Sequence, residues 1–173
     1  MKPARTLPST AMALAVLALA SVAALAQQTY TIGPIRIDHP WSRVAPEGFK
    51  VAGGFMRITN TGKEADRLIG GSFIHAARLE VHEMAMKDGR MVMNELAGGL
   101  EIPPGGSVLL RPGSFHVMFM ELKQPLKSGE RIKGTLVFAK AGAIEVEYLI
   151  EPLGTQTSGP HAAPKGSGPM DKK

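Results

Sequence analysis

After residue 26, no stretch of this chain spaces its apolar residues with a helical period. Short β-branched and apolar runs alternate instead with Gly/Pro and Asn/Asp-Gly turn signals, and there is no cysteine to fasten them together. A chain patterned this way is expected to close into sheets and to hold them by packing alone. Residues 29–38 alternate around Gly33-Pro34, and residues 51–61 form a run that ends at Asn60-Thr61-Gly62. Gly53-Gly54 inside that run signals a bulge or a close backbone approach. Further runs cover residues 67–74, 77–86 and 91–96, with Lys87-Asp88-Gly89 as a hairpin loop between the last two. Past Pro103-Pro104-Gly105-Gly106, which sets off a short segment, come 107–111, 116–122, 131–139 and 144–151. Eight or nine short strands at this spacing predict an all-β sandwich.

The ends of the chain are not expected to belong to that domain. Lys2 and Arg5 precede an apolar run over residues 11–25 broken only by Ser21, and Ala24-Leu25-Ala26 supplies a small-x-small cleavage pattern. Residues 1–26 are therefore expected to be a signal peptide, the run being short for a membrane span of about 20 residues. Without a following cysteine, lipid modification of the mature N-terminus is not expected. The sandwich is expected over 27–152, and the Gly/Ser/Thr/Pro-rich residues 153–173 as a disordered tail. Net charge falls from +5 to +3 without Lys2 and Arg5, and to +1 once Lys165, Lys172, Lys173 and Asp171 are set aside. With the basicity at the ends, one Trp and two Tyr, nucleic-acid binding is unsupported. No membrane span is expected after cleavage, and the mature protein is expected to be a periplasmic monomer.

Six of the ten methionines lie between Val81 and Met120: Met84, Met86, Met91, Met93, Met118 and Met120. Two histidines open H-x-M triplets there, His82-Glu83-Met84 and His116-Val117-Met118. Imidazole nitrogen with thioether sulfur favours a soft cation, and Cu(I) is the common biological ion that accepts this set without thiolate. Strand alternation puts Arg78, Glu80, His82, Met84 and Met86 on one face, opposite Leu79 and Val81. Met91 and Met93 share a face of the next run, as do His116, Met118 and Met120 of a third. His and Met presented away from the aliphatic face suit a site at the rim of the sandwich. Other candidates read as structural. His75 is expected to be an ordinary hydrogen-bonded residue, His39 to brace a turn at Pro40-Trp41, and Met56 to pack beside Phe55. Met86, Met91 and Met120 are expected to fill gaps in the core or rim.

His82, ten residues, Met93, twenty-two residues and His116-Val117-Met118 resemble the pattern of the periplasmic copper chaperones of the PCuAC type. That pattern has a His, ten residues, a Met, a spacer of about twenty-one and His-x-Met, and the extra residue here fits the loop Ala97-Gly98-Gly99. The resemblance extends to Asp38-His39-Pro40-Trp41-Ser42-Arg43, Ile58-Thr59-Asn60, Pro104-Gly105-Gly106 and Leu122-Lys123-Gln124-Pro125-Leu126, most of the mature domain. It implies a cupredoxin-like sandwich of Greek-key type. It also implies Cu(I) held by His82, Met93, His116 and Met118, with Met84 as the nearest substitute, and delivery to a copper-accepting oxidase subunit or another copper chaperone. Family members often carry a His- and Met-rich extension for a second copper. This tail offers only His161 and Met170, enough for no more than weak Cu(II) binding.

No thiolate means no blue-copper centre, which argues against an electron carrier. G-x-S-x-G, H-E-x-x-H and a Cys nucleophile are all missing, so no enzyme is expected. Two other readings use the same residues: copper storage or resistance, and a β-sandwich interaction module whose methionines form an apolar docking patch.

Overall fold

The computed structural model describes residues 28–154; the leader expected over 1–26 and all of the expected tail beyond Gly154 lie outside them. Eleven strands form: β1 (Thr29–Ile32), β2 (Ile35–Arg43), β3 (Val51–Asn60), β4 (Asp66–Phe73), β5 (Arg78–Lys87), β6 (Arg90–Glu95), β7 (Leu100–Ile102), β8 (Ser107–Leu110), β9 (His116–Met120), β10 (Arg131–Phe138) and β11 (Gly142–Glu151). Two exceed the sequence expectation. Gly33-Pro34 turns the first run back on itself as the β1–β2 hairpin, and the short segment at Leu100 pairs with β4 as β7.

The hydrogen-bonded path runs β1-β2-β11-β10-β4-β5-β9-β3-β8, and β2 also pairs β3, so the circuit closes on itself. One layer holds β11, β10, β4 and β7, and the other holds β5, β9, β3, β6 and β8. The layers join at one edge through β2 and at the other through a lone β4–β5 pairing, Gly71 with Leu79. Strand β2 bends to serve both layers. Its register shifts between Asp38 and Trp41, where His39 adopts φ +51° and its Nε2 lies 3.4 Å from Glu151 Oε1. His39 thus bends a strand, where the sequence suggested a turn.

The core lies between the layers. Phe73 of β4 stacks on Phe119 of β9 at 3.9 Å, and Tyr148 of β11 meets both edge-on. Such contacts contribute about 0.5–1.5 kcal/mol per pair beyond the area they bury. Met56 is buried there, as its sequence context implied. The Gly53-Gly54 signal proves to be a close approach. A Cβ on Gly54 would sit 2.6 Å from both Val117 Cγ2 and Phe119 Cζ. Bare backbone at Gly54 therefore lets β3 press onto the inner side chains of β9, and this fixes where β9 holds its outer side chains.

At the far end, Asp66 accepts backbone N–H bonds from Arg67, Lys140 and Ala141 at 2.7–2.9 Å and ties the start of β4 to the β10–β11 turn. Burial opposes the charge, but the three donors outweigh it and hold the carboxyl below its ordinary range.

Candidate metal centre

Strands β5 and β9 pair antiparallel with His82 directly opposite His116, and β5 pairs β6 with Met84 directly opposite Met93. In an antiparallel ladder opposed residues share a face. Leu79 and Val81 of β5, with Val117 and Phe119 of β9, fill the core, so the outer face receives Glu80, His82, Met84, His116 and Met118. The parity expected from the sequence is the parity observed.

The geometry is more specific than parity. The His82 and His116 rings lie 5.8 Å apart, centroid to centroid. His116 Nδ1 lies 2.9 Å from the Ser114 carbonyl oxygen, a partner that can only accept. Nδ1 therefore carries the proton, and Nε2 keeps a free lone pair. That Nε2 lies 3.3 Å from Met93 Sδ, an atom with no hydrogen to offer. Two lone pairs thus face each other at close to the ~3.5 Å that nitrogen and sulfur span on one tetrahedral metal ion.

His82 is oriented in the opposite sense. Its Nε2 lies 2.9 Å from Glu80 Oε2, so Nε2–H donates to the carboxylate. Its Nδ1 is buried without a hydrogen-bond partner. An orphaned buried acceptor costs on the order of 1–3 kcal/mol, a cost that a metal ion on Nδ1 would remove. Glu80 Oε1 is taken by Arg78 Nε at 3.1 Å, and Arg78 also pairs with Glu121 at the end of β9. Bonds from His82 and Arg78 outweigh burial and hold the Glu80 carboxyl below its ordinary range. The imidazole of His116 is also pushed down, chiefly by burial, with the nearby His82 adding to this against its bond to Ser114. It is therefore neutral, and a donor, at pH 7.

Met118 is buried on the same face two residues from His116, opposite both Glu80 and Gly53. Met84 sits beside the cluster and donates its backbone N–H to the same Ser114 carbonyl that orients His116. The sequence set the site at the rim; there the imidazoles are only 8% and 6% exposed while Met93 is 49% exposed. Cover also comes from the neighbouring strand β3: Phe55 lies 6.4 Å from His116 and meets the Trp41 ring at a tilt, 4.6 Å away. Among the described residues no three His, Cys, Asp or Glu side chains converge as a metal site. Glu80, which sets the His82 tautomer, was passed over in the sequence as a charged neighbour; an acidic residue two positions before a histidine on one strand face was the available signal. The sequence placed Met86 and Met91 in packing roles, yet both are well exposed. His75 accepts the Lys123 N–H through its carbonyl oxygen and sets its ring edge-on to Phe73, while its Nδ1 is buried without a hydrogen-bond partner.

A cupredoxin-like β-sandwich whose outer face gathers His and Met is the PCuAC type of domain, and solved structures share its fold. The copper-bound PCuAC domain from PmoF2 is 30% identical, with TM-score 0.62, over 72% of this chain and 98% of that domain. The apo PCuAC domain from PmoF1 is 26% identical, also at TM-score 0.62, over 72% and 99%. CuI-DR1885 from Deinococcus radiodurans shares the fold at 24% identity and TM-score 0.52, over 72% and 80%. A putative lipoprotein of Leifsonia xyli subsp. xyli (strain CTCB07) is 33% identical over 117 residues, 68% of this chain and 69% of that protein. The chain belongs to the family described as putative lipoprotein LpqE-like, whose profile matches residues 35–150.

Proposed function

We propose that this protein is an extracytoplasmic Cu(I) chaperone that holds copper at His82, Met93, His116 and Met118 and passes it to a cytochrome oxidase copper centre. The observation that carries this reading is the approach of two donors, His116 Nε2 and Met93 Sδ at 3.3 Å, with the His82 ring 5.8 Å from that of His116 and its Nδ1 orphaned. In this reading copper binds His82 through Nδ1 and His116 through Nε2. All four donors are neutral, so bound Cu(I) leaves a single positive charge, which the Glu80 carboxylate behind His82 favours. The copper-bound PmoF2 domain and the CuI-DR1885 structure lend the metal and its oxidation state as analogy. Periplasmic location after cleavage of residues 1–26, and action as a monomer without enzymatic turnover, complete the proposal.

The burial pattern suggests how the metal leaves. The histidines are covered and Met93 is open, so an acceptor thiolate would displace the Met93 thioether first and then draw the ion off the imidazoles. Ligand exchange of this kind changes no oxidation state and requires no unfolding. Titration with Cu(I) against a competing chelator should give one tight equivalent, lost in a His82→Ala, His116→Ala variant. The loaded protein should then pass copper anaerobically to a reduced, cysteine-bearing oxidase domain. Retention against every thiolate acceptor would turn the reading to storage. A docking module, which the exposed Met86 and Met91 favour, would take up no stoichiometric Cu(I).

A further inference from the structure

The tip of the β5–β6 hairpin carries methionines that neither the core nor the four-ligand site uses. Met84 opposes Met93, and Met86 opposes Met91, in two successive rungs on one face. The alternate rungs, Glu83 with Asn94, Ala85 with Val92 and the cationic pair Lys87 with Arg90, point to the other face. Among the described residues strand β6 pairs only with β5, and Met86 and Met91 are 64% and 50% exposed. The tip turn is held by Asp88 and Gly89 at φ 50° and 75°, values that suit a tight two-residue hairpin. The hairpin therefore holds four thioethers as a two-by-two block, its inner edge at the His116 contact of Met93 and its outer edge in solvent.

Gap-filling explains buried methionine and does not explain this pair. Directly opposed Cβ atoms stand about 4.5–5.5 Å apart, and each Met adds three rotatable bonds. Two sulfurs on one ion are at most ~4.6 Å apart, twice a metal–sulfur bond of ~2.3 Å. Opposed thioethers can therefore meet on a shared ion without backbone movement.

We propose that Met86 and Met91, with Met84 as third donor, form an outer all-thioether site for soft monovalent cations, Cu(I) and Ag(I). From it the ion steps along the ladder to Met93 and the buried histidines. The inference rests on the Cu(I) reading above and adds the entry route to it. Each step exchanges one thioether for another donor at a constant oxidation state. The site is weak because it lacks nitrogen donors and charge, as an entry site must be if the ion is to move inward.

The test uses the full chain with 13C-methyl methionine, titrated anaerobically with Ag(I) and Cu(I). Two equivalents are expected, the second at least tenfold weaker, with the Met86 and Met91 methyl signals shifting in that phase. Met86→Leu with Met91→Leu should keep the tight equivalent, lose the weak one and slow loading of the tight site about tenfold. A His82→Ala, His116→Ala variant should keep only the weak one. If the leucine variant loads as fast as the parent, or still binds the second equivalent, the outer site is wrong and the chaperone reading stands. If the parent takes up neither ion, both fail together.

Discussion

Glu80 should set how tightly copper is held without touching it. In the structure its Oε2 accepts from His82 Nε2 at 2.9 Å, leaving His82 Nδ1 buried without a partner and free to take a metal ion. With Ala at position 80, Nε2–H loses its acceptor, and the ring is free to turn over or to exchange tautomers. Loss of such a partner behind a metal-bound histidine typically costs 10–100-fold in affinity, about 1.4–2.7 kcal/mol. Glu80 is partly solvent-exposed and water can replace it in part, so Glu80→Ala is expected near tenfold. The fold should barely respond, because surface ion pairs of the Arg78–Glu80 kind contribute about 0–1 kcal/mol. Glu80→Gln keeps an acceptor oxygen and should stay within roughly fivefold of the parent. Anaerobic competition against a Cu(I) chelator gives the affinities, and 15N spectra of the apo imidazoles give the tautomers. Parent-like Cu(I) affinity in Glu80→Ala would refute the reasoning. An equal loss in Glu80→Gln would show that charge matters and tautomer does not.

The remaining predictions address ligands, acid and packing. Met93→Leu and Met118→Leu conserve volume and should cost the fold less than about 1.5 kcal/mol while lowering Cu(I) affinity; parent-like binding by both would remove them from the site and point to Met84. Because burial lowers the His116 pKa, the unfolded chain takes up that proton first, so metal-free stability should drop as pH falls below about 6.5. Asp66, shifted down, contributes stability that is complete above about pH 3.9 and lost as pH falls through its lower folded value, giving a second acid limb in melts from pH 8 to 3. A melting temperature that rises between pH 7 and 5 would contradict the first of these. Gly54→Ala places a Cβ 2.6 Å from Val117 and Phe119, which should cost about 1–3 kcal/mol in a chemical melt and weaken Cu(I) binding by shifting β9; unchanged values would mean that β9 does not depend on that contact.

What the sequence determined is whatever depends on a chain's own period. Alternation assigned His82 and Met84 to one face of β5 and His116 and Met118 to one face of β9, since a strand's side-chain period does not wait for a partner. Lys87-Asp88-Gly89 marked the β5–β6 hairpin, because that turn is local, while the pairing of Lys87 with Arg90, and with it the opposition of Met84 to Met93, came from the structure. Residue types set the donor chemistry before any fold was known. Only the tertiary structure decided that His82 lies across from His116, since β9 reaches β5 through a long connection and its position depends on how closely the neighbouring strand β3 pairs beside it. The same holds for the bend of β2 at His39, which exists to join two layers. Tertiary structure also decided which nitrogen of each histidine is free, as the answer lies with the Ser114 carbonyl and the Glu80 carboxylate. Exposure followed the same rule: Met56, Met86 and Met91 are alike in sequence, yet the first is buried and the other two face solvent, because burial depends on whether another layer covers the strand.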